Sequence, residues 1–415
     1  MDKKRLALYC IAVVALTGAY AQKNYSYQPI TKSQQSDIAA SMFANNVSSF
    51  LINDQIPIGY VSLTNVVNMV SYNPVEGTRI RISGQTNDRF SKRMAFSAMA
   101  AYGTEDHKFK YALGAAYNFA RKAKGVYAFP CSTLGVNWED NTYMPSYSNY
   151  DVAYFSFGDW DRFYFARRKR LTVSFLQEFD NTFAFRPYYY WQKTDDYMLY
   201  DDGQTLSLLD PAYDYTNNSV GVELTYTPTR KGTNLLTILN SRFYTFHTQI
   251  RADYSYNSQH YIQTNTYSRA EISAQHRVQF LPLALDVRVQ GGKIFGQSDK
   301  YMYFTPNYRV SSVSNMFGFN LYSPWEIMCK DYVQTYTQLN FGGILLDNID
   351  FFKNFKPNEF INFKALFSSQ TDTYCEAGAG IDHIFGFLGL EIVKRISKEN
   401  PYDMPDWALR IRCTL

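Results

Sequence analysis

The sequence predicts an all-β chain, a transmembrane antiparallel β-barrel of about 14 strands with roughly 12 to 16 possible. Three observations support this fold class. An export signal opens the chain. Aromatic residues make up 17% of the 415 residues although the mean hydropathy is only −0.33. Segments of about ten residues alternate between apolar and polar side chains along most of the remaining chain, as membrane-spanning strands do.

The export signal occupies residues 1–21. Its basic start at 3–5 precedes an apolar run over 6–16, and the small-residue end at 19–21 predicts cleavage before Gln22. The apolar run has about half of the ~20 residues that a spanning helix needs, so a membrane anchor is disfavoured. We therefore expect export, and expect a β-barrel in the bacterial outer membrane because no later apolar stretch is long enough for a helix.

Alternation is clearest over residues 108–119. One face carries apolar or small residues at every second position from Phe109 to Phe119. The other face carries polar or small residues at every second position from Lys110. The aromatic content fits girdles of Tyr, Phe and Trp at the two membrane surfaces. Similar segments occur near 59–72, 79–83, 91–103, 163–178, 182–193, 218–228, 235–253, 260–280, 283–290, 332–346, 359–369, 375–395 and 406–415.

Charged residues inside these segments predict which face is turned to the barrel interior. An arginine facing lipid at mid-bilayer costs about 2 to 4 kcal/mol, so these side chains must face inward. Glu76 is expected to pair with Arg79 or Arg81, because an unpaired buried carboxylate is costly. Basic residues outnumber acidic ones, so an open channel would favour anions. The predicted interior residues are Glu76, Arg79, Arg81, Lys110, Glu223, Asp286, Arg288, Glu391, Arg410 and Arg412.

Polar stretches between the strands predict the connections. Residues 120–162, 194–217 and 297–330 have the lengths of surface loops. Residues 22–58 predict a segment that either hangs in the periplasm or enters the interior as a small plug, ahead of a barrel over 59–415. The Asn73–Gly77 stretch predicts a hairpin turn directly before a strand.

No motif predicts catalysis or a cofactor. The five histidines are dispersed, and no G-x-S-x-G, Walker or H-E-x-x-H pattern occurs, so neither catalytic nor metal-binding residues are predicted and an enzyme is disfavoured. A net charge of +4 gives no reason to expect nucleic acid as a partner. The four cysteines after the signal have no C-x-x-C spacing, although an oxidising compartment would allow one pair to form. They are Cys131, Cys329, Cys375 and Cys413.

A series of short motifs occurs in order over most of residues 60–415. The motifs are Asn73-Pro74-Val75-Glu76-Gly77 with Arg79 and Arg81, Thr86-Asn87, Phe90-Ser91-Lys92, Ala101-Tyr102-Gly103, Phe109-Lys110-Tyr111, Gly292-Lys293-Ile294-Phe295-Gly296, Phe319-Asn320-Leu321 up to Glu326, Asp331-Tyr332-Val333, and Gly380-Ile381 with Ile384-Phe385. Together they resemble the barrel of a Bacteroidetes outer-membrane family of unknown function. Its members usually carry a carboxypeptidase-regulatory-like domain before the barrel, which we do not expect here.

The strands from Gly378-Ala379-Gly380-Ile381 onward are also similar to the barrels of the BamA and TamA assembly factors. Those factors work with periplasmic domains that are not expected here, so insertase activity is not carried over. Two functions stay open. The first is a porin-like pore or transport-accessory barrel with a mildly anion-favouring interior. The alternative is a non-conducting barrel that scaffolds surface loops or assists outer-membrane protein assembly. Expected surroundings are outer-membrane lipid and, during biogenesis, the barrel assembly machinery; no solute or protein partner is predicted.

Overall fold

The computed structural model describes residues 55–66, 69–143, 162–179, 182–201, 204–210, 212–227, 248–280, 283–306, 314, 316–321, 327–346, 349, 357–384, 388–397 and 405–413. These residues form one antiparallel sheet of 19 strands, which confirms the predicted all-β class. In this part of the chain the helical structure is limited to short 3₁₀ turns such as Lys300–Met302. No described helix has the length and apolar character needed to cross a membrane.

The strands follow one another along the chain as a meander. They are β1 Gln55–Ile58, β2 Val61–Thr64, β3 Val70–Asn73, β4 Gly77–Thr86, β5 Met94–Gly103, β6 Phe109–Asn118, β7 Ser132–Tyr143, β8 Arg162–Phe179, β9 Phe183–Asp201, β10 Gln204–Ser207, β11 Tyr215–Tyr226, β12 Thr248–His260, β13 Thr264–Phe280, β14 Leu283–Gly296, β15 Asp331–Asn340, β16 Asn358–Phe367, β17 Tyr374–Ile384, β18 Leu388–Arg395 and β19 Trp407–Cys413.

Two pairs of short strands each share one neighbour. Strands β2 and β3 both lie along β4, and β10 and β11 both lie along β9, so each pair acts as one interrupted strand. With each pair counted once and the short β1 set aside, 16 full strands remain of the 19. This number lies at the upper end of the predicted range. Among the described residues, no ladder with a defined register joins β19 to β1, β2 or β3.

The sheet exposes apolar side chains on its outer face and buries polar side chains on its inner face, which is the reverse of the arrangement in a soluble protein. On β6, Phe109 and Leu113 are exposed on the outer face, whereas Lys110 and Asn118 are fully buried on the inner face. The predicted alternation in β14 and β19 is confirmed in the same way: Arg412 is buried and Leu409 is exposed. A sheet that exposes apolar side chains and encloses polar ones has the pattern of a membrane barrel.

The prediction that 120–162 is a loop is wrong for residues 132–143, which form β7. Leu134 and Val136 face outward, and Asn137 and Glu139 lie on the other face. The polar run at 137–141 hides this alternation. Likewise, the predicted loop 194–217 is wrong for the last part of β9, for all of β10 and for the start of β11 at Tyr215. Both strands run beyond the apolar band of the sheet, where polar outward residues are no longer costly.

The connections lie at two ends of the sheet, which we name by what they contain. At the loop end the chain passes from β3 to β4, β5 to β6, β7 to β8, β9 to β10, β12 to β13, β14 to β15, β16 to β17 and β18 to β19. At the terminal end it passes from β4 to β5, β6 to β7, β8 to β9, β11 to β12, β13 to β14, β15 to β16 and β17 to β18, and β19 ends there. Membrane barrels place their longer loops on the outer surface, so we expect the loop end to face outward from the cell.

Candidate functional site

We call the connection 297–330 the inner segment, because most of its described residues lie against the inner face of the sheet. Its described apolar side chains Phe304, Phe319, Leu321 and Ile327 are almost completely buried. The prediction that this connection is a surface loop is therefore wrong for its buried residues, which lie at 304–306, 314, 318–321, 327 and 329. The prediction rested on length alone, whereas the aromatic content of the segment already favoured burial.

Two arms of the inner segment, one around Phe304 and the other around Cys329, pair with each other. The Phe304 N–H donates to the Cys329 carbonyl at 2.9 Å, and the Cys329 N–H donates to the Phe304 carbonyl at 3.0 Å. Each arm therefore satisfies backbone groups of the other inside the barrel, where water is scarce. Burial raises the pKa of the Cys329 thiol to about 12, since the thiolate would lose its hydration there.

The Phe304 ring packs against Arg269, Tyr332 and Gly292 of the wall. Arg269 lies over the ring with its guanidinium carbon 4.2 Å from the centroid, and the Tyr332 ring lies at 4.9 Å. Both rings lie directly over Gly292, because a Cβ there would come within 2.7 Å of Phe304 Cζ and 2.8 Å of Tyr332 Cε1. The absence of a side chain at residue 292 thus allows the ring to reach the wall.

An apolar cluster, which we call the cap, crosses the interior at the loop end. It joins Val75 in the turn after β3 and Phe165 on β8 with Tyr336 on β15 and Tyr374 on β17, and the inner segment supplies the residues between them. These strands come from opposite parts of the meander, so the cluster spans the interior rather than lining one side. Its buried members are Val75, Phe165, Tyr267, Ile294, Phe304, Phe319, Ile327, Cys329, Tyr332, Tyr336, Leu366 and Tyr374.

A second apolar cluster extends the cap towards β7, β9 and β11. The Tyr301 ring of the inner segment packs against Tyr197 in a tilted arrangement at a centroid distance of 4.2 Å and meets Tyr215 edge-on at 6.2 Å. Met302 contacts both clusters. The inner segment is therefore the element that connects the two clusters into one apolar layer.

Beyond the cap, polar side chains hold the tip of the inner segment, Gly318–Leu321. We call Lys364, Glu376, Glu391 and Arg410 the clasp. Glu376 accepts the Asn320 N–H at 2.8 Å and the Leu321 N–H at 3.2 Å. Lys364 Nζ donates to the Gly318 carbonyl at 2.7 Å, and Arg410 Nε donates to the Asn320 carbonyl at 3.0 Å.

The clasp side chains also neutralise one another. Lys364 and Glu376 form an ion pair at 3.4 Å, and both side chains are fully buried. Glu391 accepts a 2.7 Å bond from Asn362 Nδ2, and the Asn320 amide lies 3.4 Å from both of its oxygens. A buried carboxylate without such donors would cost several kcal/mol. The tip therefore supplies hydrogen bonds that the carboxylates would otherwise have to take from water.

The inner segment also reaches the last strand. The Ser314 N–H donates to the Ile411 carbonyl of β19 at 2.7 Å, and Phe319 packs against Tyr336 and Tyr374 at centroid distances of 5.4 and 5.3 Å. Its contacts thus run from the β14–β15 end of the wall to β19.

The predicted interior residues near the first strands form one buried ion cluster at the loop end. Glu76 pairs with Lys110 at 2.6 Å and with Arg79 Nη1 at 3.3 Å, and Lys110 also pairs with Asp106 at 2.5 Å. Arg79 Nη2 donates to Asn141 at 2.9 Å. The predicted pairing of Glu76 with Arg79 is confirmed. This cluster holds the 74–76 turn, with Val75, against the cap.

The other predicted interior residues lie on the same face but in separate groups. Glu223 pairs with Arg186 at 2.7 Å and with Arg251. Asp286 lies 3.6 Å from Arg277 and accepts a 2.8 Å bond from Asn340. Arg81 is buried, and Arg288 Nη2 lies 3.3 Å from Gln290. Glu391, Arg410 and Arg412 belong to the clasp or contact it. Whether any of them lines a water-filled channel stays a prediction.

Sequence reasoning missed several residues that the site uses. Lys364 and Glu376 lie in predicted strands at inward positions, so the argument applied to Arg410 could have found them. Asn320 could not be found in this way, because its role depends on a non-local contact with β17. Among the described residues, no group of three or more metal-ligating side chains occurs.

Comparison with known proteins gives likenesses in structure only. No family model matches the chain, and no curated protein matches it either. BamA from Haemophilus ducreyi lacking POTRA domains 1–3 is 10% identical, with a TM-score of 0.49 over 82% of this chain and 69% of that chain. CdiB from Acinetobacter baumannii is 9% identical, with a TM-score of 0.42 over 82% of this chain and 57% of that chain.

A third likeness is to a loop L8 deletion mutant of OmpT, an outer membrane protein of Vibrio cholerae. It is 9% identical, with a TM-score of 0.32 over 73% of this chain and 88% of that chain.

Proposed function

We propose that the protein is an outer-membrane β-barrel that does not conduct in the state described here, and that it scaffolds its surface loops or assists the assembly of other exported proteins. The cap carries this proposal. An apolar layer reaches from Val75 and Phe165 to Tyr336 and Tyr374 at the loop end, and ions do not cross an apolar constriction readily.

The membrane location is supported by the outer face of the sheet. Outward apolar side chains such as Ile82, Leu113, Ile392 and Leu409 are more than half exposed, and in water that area would cost roughly 25 cal/mol per Å². Lipid removes this cost because it covers apolar surface as a protein core does. The export signal predicted over residues 1–21 is consistent with the same location.

Apolar burial and the clasp both hold the inner segment in the barrel. Full burial of a Leu, Ile or Phe side chain is worth about 1.5 to 3 kcal/mol, and the segment buries Phe304, Phe319, Leu321 and Ile327. These four side chains therefore favour the inserted segment by about 6 to 12 kcal/mol, against which the conformational entropy of ordering the segment acts. We expect that conduction needs a partner that displaces the segment.

Planar-bilayer conductance tests the proposal. The detergent-folded protein is expected to insert and stay silent, whereas a variant with residues 300–328 replaced by a short Gly-Ser linker is expected to form stable channels. Stable, ungated channels from the unmodified protein would contradict the proposal, and silence from both proteins would show that the inner segment is not what blocks the interior.

A gated anion pathway is the second candidate. Arg186, Arg251 and Arg277 on the inner wall are 30%, 41% and 35% exposed, so they keep contact with water beside Glu223 and Asp286. If the linker variant conducts, a reversal potential that shows anion preference would support this candidate. Cation preference would count against it.

A further inference from the structure

Two connections at the terminal end pack against each other and form one surface. Arg93 Nη2 donates to the Arg121 carbonyl at 3.1 Å, and the Asn118 N–H donates to the Arg93 carbonyl at 2.8 Å. A Cβ on Gly125 would lie 3.1 Å from the carboxylate of Asp88. The connections 87–93 and 119–131 therefore act as a single platform beneath β4 to β7.

This platform is strongly basic. It carries six exposed cations and one carboxylate, that of Asp88, and we call the six cations the basic patch: Arg89, Lys92, Arg93, Arg121, Lys122 and Lys124. Its excess of positive charge is larger than the net charge of +4 of the whole chain. The platform therefore presents a local excess of positive charge at the terminal end.

Exposed aromatic rings lie directly beside the basic patch. Phe90 and Phe96 meet edge-on with centroids 6.1 Å apart, and Tyr117 and Phe119 meet at 4.8 Å. Their side chains are 45%, 48%, 36% and 55% exposed. Aromatic rings at the rim of a membrane barrel sit at the level of the lipid headgroups. Cations within a few residues of such rings lie at the level of the lipid phosphates.

We propose that the basic patch binds the headgroups of anionic phospholipids in the leaflet at the terminal end. The inference rests on the proposed membrane location. Clusters of Lys and Arg next to a membrane surface attract anionic lipid, and each cation near the surface adds roughly fivefold in affinity. A lipid fits better than a protein partner because the basic patch is continuous with the lipid-facing rings and its long side chains are exposed.

Binding at the patch would also enrich anionic lipid locally. The patch lies beneath β4 to β7, so bound headgroups would gather beside these strands. The surrounding leaflet thus becomes uneven in composition, and a high salt concentration should remove this effect by screening.

The test uses native mass spectrometry of the detergent-folded full-length mature protein. Phosphatidylglycerol, phosphatidylcholine and inorganic phosphate are added separately at equal concentration. The patch variant combines Lys92→Gln, Lys122→Gln and Lys124→Gln. The control variant removes the same charge at the loop end, with Lys108→Gln, Lys293→Gln and Lys300→Gln, all exposed positions.

The wild-type protein and the control variant are expected to retain phosphatidylglycerol in preference to phosphatidylcholine. The patch variant should bind phosphatidylglycerol at least about tenfold more weakly. Equal retention of both lipids, equal loss in the two variants, or binding of free phosphate as tight as that of the lipid would overturn the inference. Specific retention of peptidoglycan fragments instead of lipid would also overturn it.

Flotation with phosphatidylcholine vesicles separates this inference from the proposed location. A protein that floats with the vesicles but shows no preference for phosphatidylglycerol refutes the basic patch as a lipid site and leaves the membrane location standing. A folded protein that does not enter vesicles refutes the membrane location, and the lipid site with it.

Discussion

Glu376→Gln should loosen the inner segment without changing the size of the side chain. In the native protein the Glu376 carboxylate accepts the N–H groups of Asn320 and Leu321. Hydrogen bonds to a charged acceptor are worth about 1.5 to 3 kcal/mol, against about 1 kcal/mol for neutral ones. Two weakened bonds therefore cost roughly 2 kcal/mol, and the fraction of molecules with a released tip should rise about thirtyfold.

Lys364 adds little to this difference. In the native protein Lys364 pairs with the Glu376 carboxylate at 3.4 Å. The variant lacks this carboxylate whether the tip is inserted or released, so its loss lowers overall stability but does not favour release. The bond from Lys364 to the Gly318 carbonyl opposes release in the variant as it does in the wild type. The thirtyfold estimate therefore rests on Asn320 and Leu321 alone.

Alkylation of Cys329 provides the assay, in a background where the other cysteines are replaced by serine. Burial raises the pKa of this thiol to about 12, so at pH 8 almost no thiolate is present while the segment is inserted. Once released, the thiol approaches the ordinary value of ~8.5 and reacts. When closing is fast, the labelling rate follows the released fraction, and we expect it to rise about thirtyfold in Glu376→Gln.

Glu223→Gln is the matched control. Glu223 is also a buried inner carboxylate, and it pairs with Arg186 and Arg251 on another part of the wall. This variant should be destabilised but should label Cys329 at close to the wild-type rate. Equal labelling in wild type and Glu376→Gln would refute the reasoning, as would an equal increase in both variants, which would mean that general loosening exposes the thiol.

Two further variants test the packing of the loop end. Gly292→Ala places a methyl group 2.7 Å from the Phe304 ring, so we expect a loss of about 1 to 3 kcal/mol in stability from overpacking and faster labelling of Cys329; an unchanged urea midpoint and labelling rate would contradict this. Glu76→Gln leaves Lys110 and Arg79 without their shared carboxylate and should destabilise the folded barrel by about 3 to 5 kcal/mol, measured as a lower urea midpoint; wild-type resistance to urea would disprove the role of this cluster.

Most strands of the wall could be predicted from the sequence. In β6 and β14 apolar side chains alternate with polar or small ones over most of the strand, so the inward positions of Lys110 and Arg288 follow from a local, two-residue period. Glu76 could likewise be matched with Arg79, because a hairpin turn brings them to the same strand end. Such contacts join residues that are close along the chain.

The inner segment could not be predicted in the same way. Asn320 and Glu376 are 56 residues apart and meet only because the inner segment packs against the inner face of the sheet at β17. No period relates them, and the length of the connection equally fits a loop in solvent. Strand β7 was missed for a related reason. It leaves the apolar band and there loses the alternation that marks a membrane-spanning strand.

Hydrogen exchange of the inner segment tests the central claim most directly. In the detergent-folded protein, the amides of Phe304, Asn320, Leu321 and Cys329 all donate hydrogen bonds inside the barrel, so their exchange should be as slow as that of neighbouring strand amides. Slow exchange would support a barrel closed by its own segment. Exchange at the rate of an unfolded peptide would show that residues 297–330 lie in solvent and would contradict the account.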